Sequence, residues 1–178
     1  MRALVISAAL AFAACSTPKH TEVPMTRADD SAQQIRDVIT SLVHELDAKQ
    51  WDALAPLFTE TVETDYRSLF GGEVMRQPAA ALVGGWKAAL APLDVTQHVL
   101  GPIVVTVDAG GERAAARCHV RGHHVKDGLP GGSEWMVAGH YVFEMAKAGG
   151  AWRIAKLTLQ TSYQTGNRAL LQEAAAPR

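Results

Sequence analysis

Asp47, Tyr66, His98 and His124 are the residues whose types could do chemistry together. Imidazole has an ordinary pKa close to working pH, so a histidine can serve as either base or acid. A carboxylate bonded to its far ring nitrogen fixes the tautomer and steadies the imidazolium. A phenol can donate to a carbonyl oxygen that gains charge. Such groups suit loss of water from a β-hydroxy ketone. That reaction needs a base for the proton beside the carbonyl, a donor for the enolate oxygen and an acid for the leaving hydroxyl. Which histidine is the base stays open. The chemistry requires no cofactor.

Each residue also has a plainer reading. A histidine on a strand is more often a hydrogen-bonded bystander than a catalyst. Asp47 could be a solvated carboxylate at a helix end, and Tyr66 a core residue whose hydroxyl reaches water. Asp65 is expected to pair with Arg67 or a neighbouring strand. His119, His123 and His140 are expected to be structural or exposed. None of the histidines has the helical or loop spacing of a zinc motif, so no metal site is expected.

Helices must come first to position these groups. Asp29-Asp30-Ser31 offers helix-start chemistry. Ile35, Val38, Ile39, Leu42, Val43 and Leu46 then recur at helical spacing, which predicts a helix with one buried face and Asp47 near its end. Trp51 to Phe58 reads as a short second helix, kinked or ended early by Pro56. Thr61 to Phe70 reads as a strand carrying Tyr66, closed by Gly71-Gly72. Pro78 to Leu93 reads as a third helix, weakened by Gly84-Gly85. Strand-like runs follow over Thr96–Val107, Arg113–Val125, Trp135–Ala148 and Trp152–Thr161, joined by glycine-containing turns that predict antiparallel hairpins. Asn167 to Ala176 is a weak terminal helix or tail. Alternation places Cys118, Val120, Gly122 and His124 on one face of their strand, and Arg117, His119, Arg121 and His123 on the other. The first set suits an apolar pocket wall, which favours His124 over His123. Helices followed by a meander of long strands predict an α+β fold: a cone-shaped, curved antiparallel sheet whose N-terminal helices enclose a pocket for a small molecule.

The chain has 178 residues, 48% apolar and 20% charged, which suits one globular domain. A net charge of −1 and the lack of any basic cluster argue against nucleic-acid binding. Ala3 to Ala14 is an apolar run too short to span a bilayer, and it suits a signal peptide ending in Phe12-Ala13-Ala14-Cys15-Ser16. That ending resembles a bacterial lipoprotein box. The resemblance implies lipidation of Cys15, anchoring to a periplasmic membrane face, and the outer membrane over the inner one. Translation from Met25 is the alternative, and it would leave the protein cytoplasmic. The expected division is a signal peptide over 1–15, a tether over 16–30, a domain over 31–165 and a tail over 166–178. If Cys15 is acylated, Cys118 has no disulfide partner and is expected as a small buried residue.

Several words resemble one family. The order of elements is similar to the nuclear transport factor 2-like, SnoaL-like cone, which belongs with the cystatin-like folds. Asp47 before Trp51-Asp52, Asp65-Tyr66-Arg67-Ser68, Thr96-Gln97-His98, Val120-Arg121 before His123-His124, and Gly150-Ala151-Trp152-Arg153-Ile154 resemble scytalone dehydratases. The likeness covers roughly Ile35 to Thr161. It implies a catalytic aspartate at Asp47, a carbonyl-polarising tyrosine at Tyr66, and catalytic histidines at His98 and at His124 or His123. On that resemblance Asp47 orients His124, His98 takes the other proton transfer, and Tyr66 holds the carbonyl, directly or through water. It also suggests a trimer, and members of this fold often pair, so a homo-oligomer is expected. The chain departs from that family at Leu46, Gly139 and Tyr141, which points to a different substrate. The leading expectation is a dehydratase for a small cyclic or polyketide-like hydroxy ketone. The alternatives are a non-catalytic binder of an apolar molecule, or an isomerase or epoxide hydrolase on the same fold.

Overall fold

The computed structural model describes residues 27–176. The expected signal peptide, the acylated Cys15, the alternative start at Met25 and most of the tether lie outside the described residues. The first helix, α1 (Arg27–Asp47), starts earlier than its sequence signal, so Asp30 and Ser31 lie within it and the tether does not extend to residue 30. Its apolar face is as expected: Ile35, Ile39, Leu42, Val43 and Leu46 are all buried. It ends in a closed cap. Lys49 adopts a left-handed φ of 57°, its N–H bonds the Leu46 carbonyl, and the Gln50 N–H reaches back to Glu45. The Lys49 ammonium then donates to the Leu93 carbonyl at 2.5 Å. This fixes the end of α1, and Asp47 with it, against the start of the main sheet.

The second helix, α2 (Trp51–Leu54), gives way to a 3-10 turn over Ala55–Leu57, because Pro56 cannot continue an α-helix. Strand β1 (Phe58–Asp65) is shorter than expected at its far end. Arg67–Phe70 is not strand but a single helical turn, α3. The Asp65 carboxylate captures the Arg67 backbone N–H at 3.1 Å and so starts that turn. A short strand not visible in the sequence, β2 (Met75–Pro78), pairs antiparallel with β1. Helix α4 (Ala79–Leu90) runs unbroken through Gly84-Gly85.

The expected Thr96–Val107 strand is two strands, β3 (Val95–Leu100) and β4 (Val104–Val107), separated at Gly101-Pro102. Then come β5 (Arg113–Val125), β6 (Glu134–Ala148) and β7 (Ala151–Gly166). The sheet order is β2-β1-β7-β6-β5-β3, with β4 also on β5. The sheet is curved and mixed, not wholly antiparallel, because β1 lies parallel to β7. Register shifts at Ala138/Gly139 and Glu144/Met145 mark the bulges that bend β6 against β7. At the first of these, a Cβ on Gly139 would sit 2.1 Å from the Gln160 carbonyl oxygen, so only glycine fits. On β5 the burial alternates strictly, with Cys118, Val120, Gly122 and His124 inward and Arg117, His119, Arg121 and His123 outward. Burial pushes the Cys118 thiol up to about 11, which leaves it an inert core group.

The core fills the space between the concave sheet face and helices α1 and α4, centred on Phe143, Ile154, Leu157, Val62 and Ile39. The C-terminal segment is more than a tail. Helix α5 (Leu170–Ala175) docks a fully buried Leu170. Asn167 holds it in place by donating to Gly132 and Glu173 and accepting the Ala169 N–H.

Candidate active site

Strand β3 is an edge strand, with β5 on one side only. The end of α1 meets that open edge. There the Asp47 carboxylate accepts the His98 backbone N–H at 2.6 Å on Oδ2 and approaches the ring Nδ1 at 2.7 Å with Oδ1. One residue is thus gripped at two points, through the edge amide that no neighbouring strand takes. Burial pushes the Asp47 carboxyl up. The hydrogen bonds and charge of His98 outweigh that effect and hold it below the usual carboxylate range. The carboxylate therefore selects the tautomer with Nδ1–H toward Asp47 and the Nε2 lone pair free. This corrects the sequence expectation that Asp47 partners His124. The partner is His98.

His98 is a partition. Its side chain is 7% exposed and borders two spaces. One is a polar outer cleft along α1, lined in part by Arg36, Asp37, Thr40 and His44. The other is an apolar cavity of about 310 Å³ between the sheet and α4. Leu46, Leu82, Trp86, Leu90, Trp135 and Leu159 are among the cavity's walls. Ala81, Gly85 and Ala89 recur every fourth residue of α4 along it. These small side chains leave the space open. The polar groups that face in are His98, His124, Tyr66, Tyr141, Thr64 and Gln77, with no lysine, arginine or carboxylate among the lining residues.

His124 is buried on the inner face of β5. Its ring is 5.6 Å from that of His98, edge to face, and it tilts against Trp135 at 5.0 Å. Nδ1 lies 3.3 Å from the Trp135 carbonyl oxygen, so the proton belongs on Nδ1 and the Nε2 lone pair is left as an acceptor. Burial, and then repulsion from His98, push its pKa down to about 4. His124 is therefore neutral at working pH. His123 points outward, away from the cavity. Between pH 6.5 and about 4 the unfolded chain binds a proton at residue 124 that the folded chain refuses. Stability is therefore expected to fall as pH drops through that window, by on the order of 3 kcal/mol from this ring alone. Denaturant midpoints at pH 7 and pH 4.5 test this. His124→Gln should lose distinctly less than wild type, and an equal loss would contradict it.

Tyr66 follows from its local word. Asp65 binds the Arg67 guanidinium at 3.0 and 2.8 Å, which holds its carboxyl down at about 2. The Ser68 hydroxyl donates to the Leu159 carbonyl at 2.5 Å and accepts the Thr161 N–H at 3.0 Å. These bonds pin the turn to β7 and turn the Tyr66 ring into the cavity, where burial raises its phenol well above the ordinary range. Asp65 is thus structural, as expected. Outside the cavity, His119 and His140 face each other on the outer sheet surface, with ring centroids 4.4 Å apart. Among the described residues no three His, Cys, Asp or Glu side chains gather as a metal site.

Gly122 sits between the two histidines. A Cβ there would lie 3.2 Å from His98 Nε2 and 3.2 Å from His124 Cε1. Gly122→Ala is expected to push both rings by a few tenths of an ångström and to cost about tenfold in turnover. A variant with unchanged turnover would show that the gap between the rings is not used. Sequence reading missed Trp86 and Trp135 as cavity walls and Tyr141 as an inward hydroxyl. The alternation on β6 was the available signal for the last two.

The sequence matches the SnoaL-like domain family over residues 27–158. This chain belongs to that family. The SnoaL-like cone also recurs in solved structures. The Kfla4162 protein of Kribbella flavida is 26% identical, with 82% of this chain and 99% of that one aligned at a TM-score of 0.75. A proposed scytalone dehydratase from Novosphingobium aromaticivorans is 19% identical over 77% of this chain and 87% of its own, at a TM-score of 0.67. The type 3 LinA hexachlorocyclohexane dehydrochlorinase of Novosphingobium barchaimii is 17% identical over 77% and 90%, at a TM-score of 0.61. At those identities the last two speak for the SnoaL-like fold alone. No curated protein matches the sequence.

Proposed function

We propose that this SnoaL-like protein is a cofactor-independent lyase acting on a small, uncharged cyclic hydroxy ketone. The observation that carries the reading is that His98 is oriented by Asp47 and lines the apolar cavity. Its Nε2 lone pair takes the proton from the carbon beside the carbonyl, and the Tyr66 hydroxyl donates to the oxygen as it becomes an enolate. The enolate re-forms the carbonyl and expels the β-hydroxyl. That group takes the proton back from the His98 imidazolium and leaves as water. One C–H and one C–O bond break, one C=C bond forms, and the imidazole returns neutral. Neutral His124 cannot be the acid. Its Nε2 accepts a hydrogen bond from the departing hydroxyl and orients it. The names of the dehydratase and dehydrochlorinase neighbours, both suggesting elimination, support this class without fixing the substrate.

Ultraviolet absorbance of the conjugated product, followed over a panel of cyclic β-hydroxy ketones, tests the reading. Turnover of at least one member by wild type is expected. No turnover across the panel, with apolar ligands bound in the cavity, would leave the non-catalytic binding module in its place.

A further inference from the structure

Two phenols reach one cavity from neighbouring places in the fold. The pairing of β1 with β7 ends at Asp65 and Thr158, so Tyr66 is the first residue past the strand and opens α3. Tyr141 on β6 pairs with Leu159, the residue after Thr158 on β7. Both tyrosines line the same cavity. Tyr141 is 8% exposed. Its ring is held edge-on to Phe143 at 5.7 Å, and its hydroxyl makes no hydrogen bond among the described residues. The phenol lines the cavity, so its donor is available to a ligand oxygen there. The rest of the wall beside it is apolar, with Cys118 and Leu159 as its direct cross-strand neighbours. With no cation lining the cavity, the two phenols are its strongest donors for a ligand oxygen.

We infer that Tyr141 and Tyr66 together form a two-hydroxyl cradle for a single ligand oxygen, so that the site takes a carbonyl or phenolic oxygen and holds it more tightly as it gains negative charge. Burial raises both phenols above the ordinary range, and Tyr141 adds to the rise at Tyr66, which keeps both protonated as donors. An oxygen held between two donors in an apolar enclosure is stabilised most when it carries negative charge, as an enolate does. The assignment of the oxygen to the enolate rests on the lyase reading above. The cradle itself does not.

The test uses binding and not turnover. The purified full chain is titrated with 4-nitrophenol, whose ionised form is read from its spectrum, and with naphthalene, which has no oxygen. Wild type is expected to favour bound 4-nitrophenolate. Tyr141→Phe and Tyr66→Phe should each weaken it by roughly tenfold or more, with naphthalene affinity kept within about twofold. The inference is overturned if wild type does not bind 4-nitrophenolate, or if Tyr141→Phe binds it as wild type does. It is overturned equally if that variant loses naphthalene in the same measure, which would make Tyr141 a packing residue. A wild type that binds through both hydroxyls yet turns over no ketone would sink the lyase reading and keep the cradle. Turnover beside unchanged binding by Tyr141→Phe would do the reverse.

Discussion

His98→Ala is expected to lower kcat/KM for elimination by roughly 100- to 10,000-fold, the range that a positioned general base contributes. Among the cavity's polar groups, His98 has a carboxylate holding its tautomer, so its removal takes away the base and not just a contact. The fold should tolerate the change. Asp47 keeps the backbone N–H of residue 98 at 2.6 Å, and its side chain, 21% exposed, can take water on the freed oxygen. The melting temperature and the binding of naphthalene should therefore stay near wild type while turnover falls. His124→Ala is the contrast. Residue 124 offers a single neutral acceptor, so its loss should cost nearer tenfold. A His98→Ala enzyme that turned over normally would remove the base assignment outright.

Asp47→Asn is expected to cost nearly as much, although the two side chains have the same shape. Asparagine has one acceptor oxygen and one donor nitrogen. The backbone N–H of His98 requires the oxygen, which turns the amide NH₂ toward Nδ1. That nitrogen must then carry a lone pair, and the ring proton moves to Nε2, on the side where a base needs to be bare. The geometry survives and the tautomer is wrong. A loss of roughly 100-fold or more in kcat, with KM little changed, is the expected result from steady-state kinetics. A variant that loses affinity and not kcat would mean that Asp47 shapes the cavity without setting the proton.

Much of the fold was legible because it depends on periodicity. The 3.6-residue spacing from Ile35 to Leu46 marked α1, and strict alternation from Arg113 to Val125 put His124 inside and His123 outside. What sequence could not give were long-range neighbours. The parallel seating of β1 beside β7 brings together segments about 90 residues apart, and no local pattern signals it. The same limit explains the mistaken dyad. Whether Asp47 meets His98 or His124 depends on which strand is at the sheet edge, and β3 exposes its amide because no strand lies beyond it in the sheet. Local errors had local causes. Asp65 captures the next turn and ends the strand before Arg67, while Gly101-Pro102 splits a run that otherwise reads as continuous. Tyr141 faced inward by alternation, yet its unused hydroxyl emerges only once its neighbours are known to be apolar.

A double-mutant cycle on elimination rate, built from wild type, Asp47→Asn, His98→Ala and the double variant, tests the central claim most directly. If Asp47 acts only through His98, the double variant is as slow as His98→Ala alone. If the two losses multiply, or if wild type eliminates nothing while still binding apolar ligands, the dyad is not the engine of this cavity.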